Sequence, residues 1–266
     1  MEKTGILRKM IVQPGHVVKY FMNLNQEAAF EMNALIGSRF KLAWTGNIFC
    51  INCGKPTQKS FGQGFCYSCF TESAQASLCI IRPELCEAHI GKGRDVEWEE
   101  ANHNQPHYVY LAQTSGIKVG VTRTTQMPTR WIDQGAWRTA VIAKVPYRQL
   151  AGAIEIELKQ YLTDRTDWRK MLTDIRDEDD LQETCRELVS FLPKEFEPFV
   201  NGNCEIHEFT YPIKEYPAKI NTLKLEERRT LIGDLAGIRG QYLYFKGGNV
   251  LNLRKYSGYE VIVSAD

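Results

Sequence analysis

The stretch "YVYLAQTSGIKVGVTR", residues 108–123, decides the fold of the middle of this chain. "HYVYLA" and "IKVGVT" alternate like strands, and the Ser-Gly pair between them supplies a turn, so a β-hairpin is expected here. Downstream, "QMPTRWIDQGA" reads as a short helix or turn, "WRTAVIAKV" as a third strand and "YRQLAGAIEIELKQYL" as a helix. In that helix Leu150, Ala151, Ile154, Leu158, Tyr161 and Leu162 form one apolar stripe. Glu155 and Glu157 sit at opposite edges of the stripe, and periodicity alone does not choose between them.

Upstream lies a cysteine block. "CINCGKPTQKSFGQGFCYSCF" holds Cys50, Cys53, Cys66 and Cys69 as two C-x2-C pairs twelve residues apart. Each pair can present two thiolates from one tight knuckle, and two knuckles close a tetrahedral zinc site. A redox C-x-x-C would instead be paired with a thioredoxin-like βαβ pattern, which the sequence lacks. A second set, Cys79, Cys86, His89 and His103, follows at irregular gaps, and Cys86-x2-His89 again has knuckle spacing. One or two structural zinc ions are therefore expected, with His107 competing with His103 for the last place at the second. Cysteines 185 and 204 stand apart. Leu181, Cys185, Leu188, Val189 and Leu192 recur as one helical stripe, so Cys185 reads as core, while Cys204 lies in the strand-like "CEIHEF" with no evident partner.

The flanks are strand-like. "GILRKMIV", "HVVKYFMNL" and "RFKLAWTG" precede the cysteines; "CEIHEFTYP", "QYLYF", "VLNLRKY" and "YEVIVS" end the chain. Forty-odd residues are too few for a sheet domain alone, so the strands of the two ends are expected to complete one β-rich domain around the middle. "RDEDDLQETCRELVSFL" is an amphipathic helix with acidic residues at its start. The expectation is thus an α+β chain: N-terminal strands over 1–48, a zinc-ribbon segment over 49–106, a small mixed α/β domain over 107–175, a helical connector over 176–200 and a C-terminal β-rich segment over 201–266.

The composition is that of a globular chain, 43% hydrophobic and 24% charged. No apolar run of about 18 residues exists, and "MEKTGILRKM" is followed by no signal-peptide core, so the cytoplasm is expected and a membrane partner is not. The net charge of +1 hides a segmental pattern. Residues 1–69 and 108–150 each carry +5, whereas 70–107 carry −4 and 151–200 carry −6. Such alternation permits a local anion-binding face on a chain that is not basic overall.

Residues 107–163 resemble the GIY-YIG nuclease superfamily, including its phage-type branch. Tyr108-Val109-Tyr110 stands for the first motif and Lys118-Val119-Gly120 for the second. Arg130 falls at the helical arginine, and Glu155 with Leu158 fits the family's E-x-x-L pattern better than Glu157 does. The resemblance implies phosphodiester chemistry: a Tyr110 hydroxyl, or a water assisted by it, attacks, Arg130 neutralises charge on the phosphoryl oxygens, and Glu155 holds one Mg²⁺ or Mn²⁺ near the leaving oxygen. Two positions depart from the family. Lys118 replaces the second tyrosine; it can hold a phosphate as a point charge but is a poor base. No asparagine stands where many members have one, and Asp167 is only a loose substitute. Across most of the chain, "RPELC", "KVGVTR", "RWIDQGA" and "GIRGQYLYF" together with the cysteine block resemble an uncharacterised bacterial zinc-ribbon family of unknown function.

These readings converge on a zinc-containing nucleic-acid-binding protein, for DNA or RNA, with a divalent-metal-dependent endonuclease as its enzymatic form. A non-catalytic nucleic-acid or ribonucleoprotein binding module, and a protein-interaction scaffold with structural zinc, remain as alternatives.

Overall fold

The computed structural model describes residues 1–162, 167–177 and 179–265. The last residue of the GIY-YIG-like stretch, at 163, and Glu178 of the acidic helix start lie outside them. In chain order the first part runs β1 (Glu2–Ile6), β2 (Ile11–Gln13), β3 (Lys19–Leu24), β4 (Glu27–Glu31), β5 (Arg39–Ile48) and the short helix α1 (Tyr67–Glu72). The middle follows as α2 (Val96–His103), β6 (His107–Gln113), β7 (Ile117–Arg123), α3 (Thr129–Asp133), β8 (Arg138–Val145), α4 (Arg148–Lys159), α5 (Trp168–Leu172), α6 (Leu181–Phe191) and β9 (Ile206–Glu208). The end is β10 (Asn221–Thr222), β11 (Thr230–Arg239), β12 (Tyr242–Phe245), β13 (Asn249–Asn252) and β14 (Tyr259–Ala265). The chain is α+β, and no helix of the described residues is long and apolar enough to cross a membrane.

Two compact units divide it. The first joins Met1–Thr71 to Thr210–Asp266, and the second is Glu72–Phe209. In the first unit a seven-stranded sheet has the order β1-β14-β5-β11-β12-β13-β10, so strands from the two ends of the sequence lie side by side. Alternation drives the pairing: β14 buries Tyr259, Val261, Val263 and Ala265 on one face, and β5 buries Phe40 and Leu42 opposite them. A separate three-stranded sheet, β2-β3-β4, buries Tyr20, Met22 and Leu24 of β3.

The second unit is built on the antiparallel sheet β7-β6-β8-β9. The hairpin of residues 107–123 forms in full register, from His107 opposite Arg123 to Gln113 opposite Ile117. Helices α4 and α6 cover one face, where Ala151, Ile154 and Leu158 of α4 and Leu181, Cys185 and Leu188 of α6 meet Val109, Leu111, Ile117 and Val119. On the other face Tyr110, Ala112 and Val141 pack against Trp131 of α3.

Several boundaries differ from the sequence reading. The division falls after Thr71, within the 49–106 segment, because α2 and the turns before it pack on the second unit. The helix placed in a connector, α6, belongs to the core of that unit, since its apolar stripe is needed to cover β8. Strand β9, assigned to the C-terminal segment, pairs with β8. Cys204 also has a partner after all: it is disulfide-bonded to Cys185 from the inward face of α6, with their Cα atoms 6.0 Å apart.

Candidate functional site

In the first unit the chain leaves β5 into a turn that carries Cys50 and Cys53 and returns to carry Cys66 and Cys69 at the start of α1. The four Sγ atoms all lie within 4.8 Å of one another, with Cys53 and Cys66 at 3.9 Å. Burial pushes the Cys50 thiol up, but the backbone N–H groups of Cys53, Cys66 and Asn52 outweigh it and hold the thiol down at about 6. Amides turned inward on a sulfur are what a thiolate knuckle provides. The Asn52 amide donates to Cys69 Sγ at 3.4 Å. Four sulfurs at this spacing fit zinc by number, softness and geometry, and this cluster could hold one.

In the second unit three short 3-10 turns at Leu78–Ile80, Pro83–Leu85 and Ala88–Ile90 lead into α2. Asp95 caps α2 by accepting from the Trp98 amide. Glu99 and His103, four residues apart on the helix, face Cys79 and Cys86, and the ligand atoms of all four are within 4.8 Å of one another. His89, expected in this set, is not part of it: its ring stacks on Tyr147 at 4.6 Å between centroids. His107 is also outside the group. It is fully buried at the start of β6, with Nδ1 2.7 Å from the Gln105 carbonyl oxygen, and desolvation lowers its imidazole to about 4. The helical spacing Glu-x3-His was the signal available in the sequence for Glu99.

A pocket of about 270 Å³ opens at β7, the edge strand of the four-stranded sheet. Tyr110, Lys118, Arg130 and Glu155 all line it, together with Gln134, Arg148 and Lys159. Tyr110 and Gly120 are paired across β6 and β7. Because residue 120 has no side chain, the Tyr110 hydroxyl reaches the pocket; a Cβ there would stand 2.8 Å from that oxygen. The Gln134 amide donates to the same hydroxyl. From the opposite side, α4 contributes Arg148, Glu155 and Lys159.

The choice between the two glutamates is geometric. Glu155 is 8% exposed and lines the pocket, whereas Glu157 is held by Gln160 on the outer part of the helix. Desolvation raises the Glu155 carboxyl above the usual range, and Lys159, with Nζ 3.5 Å from Oε1, and Arg148 offset part of that rise. Arg148 was not singled out in the sequence, although it stands seven residues before Glu155, two turns away on the same face. Its guanidinium donates to the carbonyl oxygens of Cys79 and Ile80. Gly152, between them, lets the backbone of Pro83 and Glu84 rest on α4: a Cβ would meet the Glu84 nitrogen at 2.2 Å. Asp167 caps α5 by accepting from the Arg169 and Lys170 amides and does not line the pocket.

Four cationic side chains thus surround one buried carboxylate and one tyrosine hydroxyl. Such a pocket has the charge to take a phosphate group.

Residues 37–261 match the family described as Protein of unknown function (DUF2797), and the chain belongs to that family. No curated protein and no solved structure matches it significantly.

Proposed function

We propose that this member of a family of unknown function binds nucleic acid, with the edge-strand pocket of the second unit receiving a backbone phosphate. The observation that carries the reading is the convergence of Lys118, Arg130, Arg148 and Lys159 on one cavity beside the Tyr110 hydroxyl. Cations from an edge strand and from two helices meet where a polyanion can approach. The Cys50, Cys53, Cys66 and Cys69 cluster holds a structural zinc ion in this reading, which compensates the short core of a loop-rich segment. A cytoplasmic setting belongs to the same reading, because a reducing compartment keeps those thiolates available to metal, and in it the Cys185–Cys204 pair would stand as two buried thiols.

The test is binding of labelled DNA and RNA oligonucleotides of matched sequence as a function of salt. Affinity should fall steeply between 50 and 200 mM salt, as expected for a protein that displaces counterions (about tenfold or more for even a few phosphate contacts). Arg130→Ala and Lys118→Ala should weaken binding without changing the circular dichroism. No binding to either polymer at low salt would overturn the reading in favour of a protein-interaction scaffold.

A second reading, cleavage, is favoured by the meeting of Tyr110, Arg130 and Glu155 in one pocket in the order the GIY-YIG resemblance implies. In it a water held by the Tyr110 hydroxyl, whose oxygen accepts from Gln134, attacks the phosphorus. The P–O bond to the leaving oxygen breaks and the water's proton ends on that oxygen, while Arg130 and Lys118 hold the phosphoryl oxygens and Glu155 would provide the protein ligand. A Mg²⁺ or Mn²⁺ bound there would neutralise charge on the leaving oxygen. Cleavage should vanish with a chelator mild enough to leave zinc in place, and with Glu155→Gln but not Glu157→Gln. Binding with no cleavage in either metal would mean that Lys118 cannot replace the family's tyrosine, and would leave the protein a binder.

A further inference from the structure

We infer that Cys79, Cys86, Glu99 and His103 form a second, buried zinc centre, in which the helical carboxylate Glu99 takes the place that spacing assigned to His89, and that this centre fixes one wall of the cationic pocket. The inference stands apart from nucleic-acid binding, since it concerns the metal content and order of the second unit.

Distances make the first argument. His103 Nδ1 is 3.7 Å from Cys79 Sγ, 3.5 Å from Cys86 Sγ and 3.6 Å from Glu99 Oε2. A tetrahedral zinc with bonds of about 2.0–2.3 Å sets its ligands about 3.3–3.8 Å apart, the edges of the tetrahedron. All three separations fall in that interval. A direct imidazole–carboxylate hydrogen bond would instead be about 2.7–3.2 Å.

Burial makes the second. Cys79, Cys86, Glu99 and His103 are 6%, 2%, 3% and 3% exposed. A carboxylate, an imidazole and two thiols brought together out of water are costly unless something satisfies them jointly, and a divalent ion does so with all four at once. Two soft sulfurs, one nitrogen and one oxygen at tetrahedral spacing select zinc over the hard cations, which prefer six or more oxygens.

The surroundings are those of ligands held in place from outside. Glu99 Oε1 accepts the Arg94 backbone N–H at 3.0 Å, and the Ser77 hydroxyl lies 3.1 Å from Cys79 Sγ. Two thiolates, a carboxylate and a neutral imidazole on Zn²⁺ leave one net negative charge, and the Arg148 guanidinium, bound to the Cys79 and Ile80 carbonyls, stands beside it. Outer groups of this kind orient ligands and commonly change metal affinity by about 10–100-fold when removed.

The loop closed by this centre is a wall of the pocket. Ile80, Ile81 and Pro83 lie between the two cysteines and line the cavity that holds Tyr110 and Glu155. Short 3-10 turns have little hydrogen bonding of their own to hold such a wall. A metal at their base supplies what local structure does not.

Elemental analysis of the full chain, purified without chelator, tests the assignment. Wild type should carry two zinc ions, and Cys53→Ser/Cys69→Ser should retain one. Cobalt substituted into that variant should give tetrahedral visible bands with charge transfer from two sulfurs. Glu99→Gln preserves shape and should lose the remaining zinc at a chelator concentration about tenfold lower or less, while His89→Ala should keep it. Hydrogen exchange over residues 78–90 should quicken in Glu99→Gln and stay unchanged over residues 50–69. No zinc in Cys53→Ser/Cys69→Ser, or retention in Glu99→Gln with loss in His89→Ala, would overturn the ligand set; unchanged exchange over 78–90 after zinc loss would overturn the role of the centre in the wall.

Discussion

Arg148 donates from Nε to the carbonyl oxygen of Cys79 and from Nη2 to that of Ile80, both at 2.9 Å. The first turn of α4 is thereby tied to the loop that carries the second cysteine pair. Desolvation lowers the guanidinium, and the cysteines and Glu155 pull it back. Arg148→Lys keeps the charge but loses the planar fork that reaches two carbonyls at once. It should cost about 1.5–3 kcal/mol in urea unfolding, the value of one lost hydrogen bond to a charged donor. A change within error would mean that the loop is held without this tie.

Gly120 is the position that admits the Tyr110 hydroxyl to the pocket. In Gly120→Ala the new Cβ would stand 2.8 Å from that oxygen, and the Tyr110 ring, 1% exposed, has little room to withdraw. Oligonucleotide affinity should fall by roughly fivefold to tenfold, about 1 kcal/mol, through loss of the hydroxyl's placement. Gly120→Ala with unaltered affinity would remove Tyr110 from the binding surface.

Glu155 is a buried carboxylate among four cations, and burial raises its pKa. A raised carboxyl is most stable protonated, so its contribution is present below its unfolded pKa and is lost as pH rises through the folded value. Glu155→Gln should therefore not lower stability at neutral pH. Without divalent metal it should also tighten oligonucleotide binding, since a carboxylate repels phosphate. Glu157→Gln, measured beside it by anisotropy, should change neither. Weaker binding in Glu155→Gln would contradict the electrostatic reading of the pocket.

His107 carries the opposite sign. Burial holds its imidazole down at about 4, against 6.5 for the ordinary side chain. Between those values the unfolded chain takes up a proton that the native protein refuses, so stability is full above pH 6.5 and falls as pH drops through the folded value. The loss should be ~2 kcal/mol by pH 5 in urea unfolding of wild type, and His107→Gln should remove that part of the slope. Acid also strips thiolate-bound metal, but that contribution is common to both proteins. Identical pH profiles would show that His107 does not couple to folding.

Short-range pattern determined a good part of this molecule. The two C-x2-C knuckles bring Cys50 with Cys53 and Cys66 with Cys69 because each turn closes within four residues. The hairpin of residues 107–123 follows from alternation around one Ser-Gly turn, and the α4 stripe from a 3.6-residue period. These are local constraints, written in neighbouring residues.

Tertiary structure decided the rest, because it depends on which distant segments close on one another. Spacing pointed to His89 beside the second cysteine pair, and only the packing of α2 turned Glu99 inward while His89 stacked on Tyr147. Cys204 met Cys185 across a separation of 19 residues that no spacing rule joins. Glu155 and Glu157 stood at equal edges of a stripe until β7 and the Pro83 loop enclosed one edge. Periodicity states which face of an element is buried; the partner that covers the edge of that face is chosen by non-local contacts, whose closure entropy and packing no single stretch of sequence contains.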